Sequence, residues 1–151
     1  MRSNRHVVWF VIAFAVSGCF GVRHTSAPSF NDQVRVGELA FTVTAINLGV
    51  PKTGHRTAQG VFVVVNLMVE NKGDRPRSVH CQDQILGDSA GKKYENAVNV
   101  DAAEDLVRVG PAAKVLFKCA FDVPSGMLPA AIELHDSPYH RGVDVTLLGR
   151  A

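Results

Sequence analysis

A chain of 151 residues has room for one domain of ordinary size and too little for two comfortable ones. Its hydrophobic share of 46% with 20% charged residues fits a buried core and excludes a disordered polymer. Without Arg2 and Arg5, 16 basic residues fall to 14 against 14 acidic ones, and a neutral chain lacking a basic block has no electrostatic reason to bind nucleic acid or anionic lipid.

Arg2, Arg5 and His6 make a basic start, followed by the apolar run from Val7 to Val16. Ten residues are too short to span a bilayer as a helix but suit the hydrophobic region of a signal peptide. Val16-Ser17-Gly18-Cys19 then resembles the bacterial lipobox, in which an aliphatic residue and two small ones precede a cysteine. The resemblance implies removal of residues 1–18 and acylation of Cys19, with several chains anchoring the protein firmly on the outer face of the membrane. The alternative is an ordinary secretory cleavage after Thr25-Ser26-Ala27, which discards Cys19 and releases the protein.

Residues 19–32, with Gly21, Ser26, Pro28 and Ser29 and no period, read as a tether, leaving 33–151 for the domain. Phe41 to Ala45 alternates apolar and polar, as a half-buried strand does. Val61 to Val69 is almost continuously apolar and β-branched, which predicts a central strand covered on both faces. The turn formers from Asn71 to Pro76 end it, and Arg77–Leu86 is the next expected strand. Gly87 to Gly91 reads as a turn into Lys92–Glu95, and Asp101–Leu106 as a loop before Gly110-Pro111. Val115 to Phe121 puts Val115, Phe117, Cys119 and Phe121 on one face, until Pro124 and Gly126 stop it. Ala131–Leu134 and Val143–Leu148 close the chain. Seven to eight short antiparallel strands separated by Gly, Pro, Asn and Asp turns predict an all-β, immunoglobulin-like β-sandwich. The only tryptophan, Trp9, lies in the leader, so the core Trp of antibody domains is missing.

With Cys19 set aside, Cys81 and Cys119 remain, an even number in an oxidising compartment. A bond between them would contribute roughly 4 kcal/mol by restricting the unfolded chain. The alternative is two reduced, buried cysteines behaving as small apolar residues.

The order of segments carries a wider resemblance. Val36-Gly-Glu-Leu-Ala-Phe-Thr-Val43, Gly60 to Val65, and Val69-Glu-Asn-Lys-Gly-Asp74 come first. Gly91-Lys-Lys-Tyr94, the Gly110-Pro111 turn, Phe121-Asp-Val-Pro124 and Ile132-Glu-Leu134 follow. Together they resemble a bacterial family of exported immunoglobulin-like domains of unknown function, whose customary label mentions a telomeric repeat-binding factor. They are also similar to an exported mycobacterial immunoglobulin-like antigen. The resemblance spans about residues 34–148 and implies a fold and a location, with no catalytic residue or metal to carry over.

Three constellations bear on chemistry. Gly87-Asp88-Ser89-Ala90-Gly91 satisfies G-x-S-x-G, which would make Ser89 the nucleophile of a small hydrolase. No amphipathic helix follows it, however, and a hairpin turn explains the same residues. His80, Cys81 and Asp83, and separately His135, Asp136 and His140, could serve a metal-binding envelope protein. Neighbours on a strand point to opposite faces and no paired ligand spacing is present, so no metal ligand is assigned. Tyr139, His140 and Arg141, between Pro138 and Gly142, form the most contact-capable loop, with a plain exposed hairpin as the alternative. The expectation is an exported, lipid-anchored or secreted sandwich without catalytic residue or cofactor. It would act by binding an envelope or extracellular protein, or by supporting envelope structure.

Overall fold

The computed structural model describes residues 26–148; the leader and Cys19 lie outside them. Among the described residues the strands are β1 (Gln33–Val36), β2 (Leu39–Thr53), β3 (Arg56–Asn71), β4 (Arg77–His80), β5 (Ile85–Asp88) and β6 (Lys93–Tyr94). They continue with β7 (Val98–Asn99), β8 (Leu106–Val109), β9 (Lys114–Val123), β10 (Pro129–Leu134) and β11 (Val143–Thr146). One sheet has the order β1-β2-β3-β9-β7 and a second β11-β10-β5-β6, while β4 and β8 form a separate pair. All these ladders are antiparallel. The chain is all-β, as the turn spacing predicts.

The alternation in β9 decides how the layers meet. Phe117, Cys119, Phe121 and Val123 are buried, while Leu116 and Asp122 face out. Opposite them on β3, Val63, Val65, Leu67 and Val69 point the same way, and Phe41 and Val43 of β2 continue the face. Leu86 on β5, Ile132 and Leu134 on β10 and Val145 on β11 close the core from the other sheet. Each of these large side chains contributes about 1.5–3 kcal/mol by leaving water.

The expectation of seven or eight short strands is corrected in three places. β2 and β3 run for 15 and 16 residues, joined at Gly54–His55, and the register shifts between Asn47 and Val50 and again before Lys52. Such bulges bend a strand, and the hairpin's outer part folds across the open face of its own sheet. There Val50 and Ala58 pack with Val98 and Val100 over Phe62, Val64 and Ala120. The apolar run of β3 is therefore covered on both faces at its start, while Asn66 and Met68 further along are only half-buried. Second, the expected strand Arg77–Leu86 breaks at a 3-10 turn, Cys81–Asp83. The Asp105 carboxylate accepts the N–H groups of Cys81 and Gln82, both at 3.1 Å, and turns the chain from the β4–β8 pair into the second sheet. Third, β8 begins at Leu106, the last residue of the expected loop Asp101–Leu106, and runs to Val109; its partner β4 sets it.

The segment read as a tether is described only from Ser26. Pro28 accepts the N–H of Thr146 at 2.8 Å, Ser29 bridges Thr146 in parallel, and Phe30 packs on the core. The edge of β11 is thus shielded by the incoming chain, and the edge strands β6 and β7 are two residues long.

Candidate functional site

Four turns converge at one end of the sandwich. The β1–β2 turn and the segment after β3 are joined by the Lys72 N–H donating to the Glu38 carbonyl at 2.8 Å. The β8–β9 turn is joined to them through Ala112 N–H on the Asn71 carbonyl and Asn71 N–H on the Ala113 carbonyl. The Asn71 side chain, fully buried, donates to the carbonyls of Arg75 at 2.7 Å and Val109 at 3.0 Å and accepts from Gly73 N–H. Buried backbone groups need partners, and this amide supplies three in a region without regular ladder. Arg77 pairs with Glu38 on the outside.

The fourth element is the loop between β10 and β11, residues 135–142, which carries Tyr139, His140 and Arg141. Gln84, also fully buried, fixes its root: Nε2 donates to the carbonyls of His80 at 2.8 Å and His135 at 3.0 Å, and Oε1 accepts His135 N–H at 2.8 Å. The His135 ring, almost buried, donates through Nδ1 to the His140 carbonyl at 3.0 Å. Its Nε2 stands 3.1 Å from Glu133 Oε1 without hydrogen-bond alignment. His140 Nδ1 donates to Asp136 at 3.1 Å. Gly142 is required here by close approach, since a Cβ would lie 2.6 Å from His135 Nε2. The loop's own side chains are thereby held from beneath, and Tyr139 stands out with 91% of its surface exposed. Beside it on β10, the Lys93 ammonium at 3.0 Å holds the Glu133 carboxyl below its ordinary value, against a smaller upward push from burial.

The other sequence candidates fall elsewhere. Cys81 and Cys119 are joined by a disulfide, with Cα atoms 5.3 Å apart, linking the inner strand β9 to the turn that enters the opposite sheet. Ser89 sits in the β5–β6 hairpin turn, where Asp88 Oδ1 accepts Ala90 and Lys92 N–H, both at 2.9 Å, and Oδ2 accepts the Tyr94 hydroxyl at 3.2 Å. That turn lies at the far end of β5 from Gln84 and His135, about 15 Å at strand rise. The G-x-S-x-G pattern therefore builds a turn, and neither His135 nor His140 approaches its serine. His80 Nδ1 lies 3.6 Å from Asp105, and Cys81 is consumed by the disulfide. Burial holds the Asp83 carboxyl above its ordinary value. Among the described residues no group of three or more His, Cys, Asp or Glu is arranged to hold a metal ion.

Sequence reasoning missed Gln84 entirely and read Asn71 only as a turn former. The end built from the four turns holds Arg35, Lys72, Arg75, Arg77, Lys114 and Arg141 against Glu38, Glu70, Asp74, Glu133, Asp136 and Asp144. The opposite end, around the β5–β6 and β9–β10 turns, holds Asp88, Glu95 and Asp122 beside Lys92 and Lys93. That opposite end also carries an apolar cleft of about 520 Å³ between Ser89, Leu128 and Leu148.

A family model described as a domain of unknown function, DUF4352, matches residues 28–145. The chain belongs to this family. The match begins at Pro28, where the chain first bonds to β11. The DUF4352 sandwich is similar to the secreted protein MPT63 of Mycobacterium tuberculosis, with a TM-score of 0.57 at 11% identity, covering 81% of this chain and 99% of that one. It is also similar to an uncharacterised β-sandwich protein of Clostridium difficile, with a TM-score of 0.53 at 12% identity, over 80% and 93% of the two chains. A third likeness is to a candidate lipoprotein, ycdA, of Bacillus subtilis, with a TM-score of 0.56 at 15% identity. It covers 78% of this chain but only 38% of that longer one. At these identities the likeness is one of fold. No curated protein matches the chain.

Proposed function

We propose that this DUF4352 protein is an exported lipoprotein of the bacterial envelope that acts by binding or structural support, without catalysing a reaction. Residues 1–18 are removed, Cys19 is acylated, and the chain from Cys19 to about Ala27 joins the membrane to the sandwich, which Pro28 first meets at β11. The observation that carries this reading is Val16-Ser17-Gly18-Cys19 directly after a basic start and a ten-residue apolar run. A secreted protein and a candidate lipoprotein among the similar structures support it, and so does a disulfide, which persists in oxidising compartments. Within this reading the sandwich is immunoglobulin-like, supported by a disulfide between its layers, a trait of that fold.

Mass spectrometry and detergent partitioning of the exported protein test it. The wild type gains the mass of a diacylglyceryl group and enters the detergent phase, and Cys19→Ala does neither. A wild type that is soluble and unmodified, with Cys19 removed, overturns the anchor and leaves simple secretion.

A further inference from the structure

We propose that the loop Tyr139–Arg141 is a membrane-contact surface, and that the protein stands on the bilayer with the end bearing this loop facing the lipid headgroups. The inference rests on the acylated Cys19 of the preceding section and adds an orientation and a role for the loop.

Three observations lead to it. The first is the direction of the incoming chain. Ser29 pairs in parallel with Thr146, and Pro28 accepts Thr146 N–H, so Ser26 and Ala27 lie toward the Val143 side of β11. That is the side of the β10–β11 loop. From Cys19 to Ser26 there are seven residue steps, which reach at most about 25 Å even when fully extended. The ten residues of β9 already span about 33 Å, so the anchor lies less than one strand length from where the chain meets the domain. The second is charge. Arg35, Arg75 and Arg141 are exposed at the end bearing the loop and stand in no ion pair among the described residues, although Asp74, Glu133, Asp136 and Asp144 bring that end as a whole close to neutral. Anionic lipid attracts each basic residue near its surface. The third is the loop itself. Tyr139 projects almost fully exposed beside Arg141, and tyrosine favours the headgroup level, where its ring is half in apolar surroundings and its hydroxyl stays wet.

The competing orientation is explicit. Leu128 and Leu148, 60% and 41% exposed around the apolar cleft at the opposite end, would also gain from contact with lipid. Chain direction opposes it.

The experiment uses the full exported chain. With Cys19 acylated and Cys81 bonded to Cys119, a thiol introduced as Tyr139→Cys or as Leu128→Cys is the only free one. Each variant is labelled with an environment-sensitive fluorophore and reconstituted into vesicles of phosphatidylcholine and phosphatidylglycerol carrying headgroup nitroxides. The label at 139 is expected to be quenched at least threefold more than the label at 128. Adding Arg75→Gln and Arg141→Gln is expected to lower that ratio toward one, as expected on removing basic residues from an anionic surface. Equal or stronger quenching at 128, or quenching at neither position in vesicle-bound acylated protein, overturns the orientation alone. The second outcome would leave the loop free for a protein partner. Protein without the acyl mass that does not float with vesicles overturns the anchor, and the orientation with it.

Discussion

Gln84→Ala is the substitution that most directly tests how the loop is held. The side chain is fully buried and makes three hydrogen bonds of 2.8–3.0 Å to the backbone of His80 and His135. Alanine removes all three, taking a partner from the His135 N–H and from the carbonyls of His80 and His135. At about 1 kcal/mol net for each bond, the loss is roughly 3 kcal/mol, and desolvation of the orphaned groups can only add to it. With a urea m-value of about 1.5 kcal/mol/M, the midpoint falls by about 2 M. Gln84→Glu keeps an acceptor for His135 N–H but turns a carboxylate toward two carbonyls, so it is expected to be no better than alanine. Gln82→Ala, two residues earlier and exposed, should stay within about 0.5 kcal/mol. Urea titration of the variants, with hydrogen exchange at the His135 amide as the local readout, decides the matter. A Gln84→Ala protein within about 1 kcal/mol of wild type, or one no weaker than Gln82→Ala, refutes the clamp.

Three further outcomes are expected. Replacing Cys81 and Cys119 by alanine frees a loop with a sequence separation of 38 and should cost about 4 kcal/mol; a melting temperature unchanged by reductant would contradict this. Gly37→Ala should be more harmful than Gly49→Ala. Both glycines have positive φ, at 59° and 66°, but a Cβ at Gly37 collides with the Asp136 carboxylate while Gly49 faces open space. Equal costs in denaturant melts would remove the steric part and leave only the backbone strain of about 1–2 kcal/mol. The Glu133 carboxyl is held below its ordinary value of 4.5, chiefly by the hydrogen bond from Lys93. A depressed carboxyl stabilises the fold above its unfolded pKa, and that contribution is lost as pH falls through the folded value. Glu133→Gln should therefore flatten the acid limb of a stability profile below about pH 4.5, and an unchanged slope would exclude the pair as a contributor.

Locally coded features were legible. The β9 alternation of Phe117, Cys119 and Phe121, the apolar run of β3 and the Asp88–Gly91 turn each depend on near neighbours, and strand period and turn chemistry act at that range. The length of the β2–β3 hairpin was not legible. Its outer half, from Leu48 to Gln59, contains Gly, Pro and charged residues that weaken any strand signal. It becomes strand because two halves of one hairpin pair with each other and settle on Val98 and Val100. The break at Cys81 was hidden for a similar reason, since it is set by Asp105, 24 residues later in the chain.

By itself the sequence determined the class of fold, the segments that enter the core, and a basic, apolar start followed by a cysteine in a pattern that resembles a lipobox. Those properties follow from period, turn residues and composition, which any stretch of chain carries with it. Only the tertiary structure decided that Gln84 and Asn71 are buried clamps and that Ser89 stands apart from His135 and His140. Each of these depends on which distant residues the two sheets bring together, and no local pattern encodes that distance.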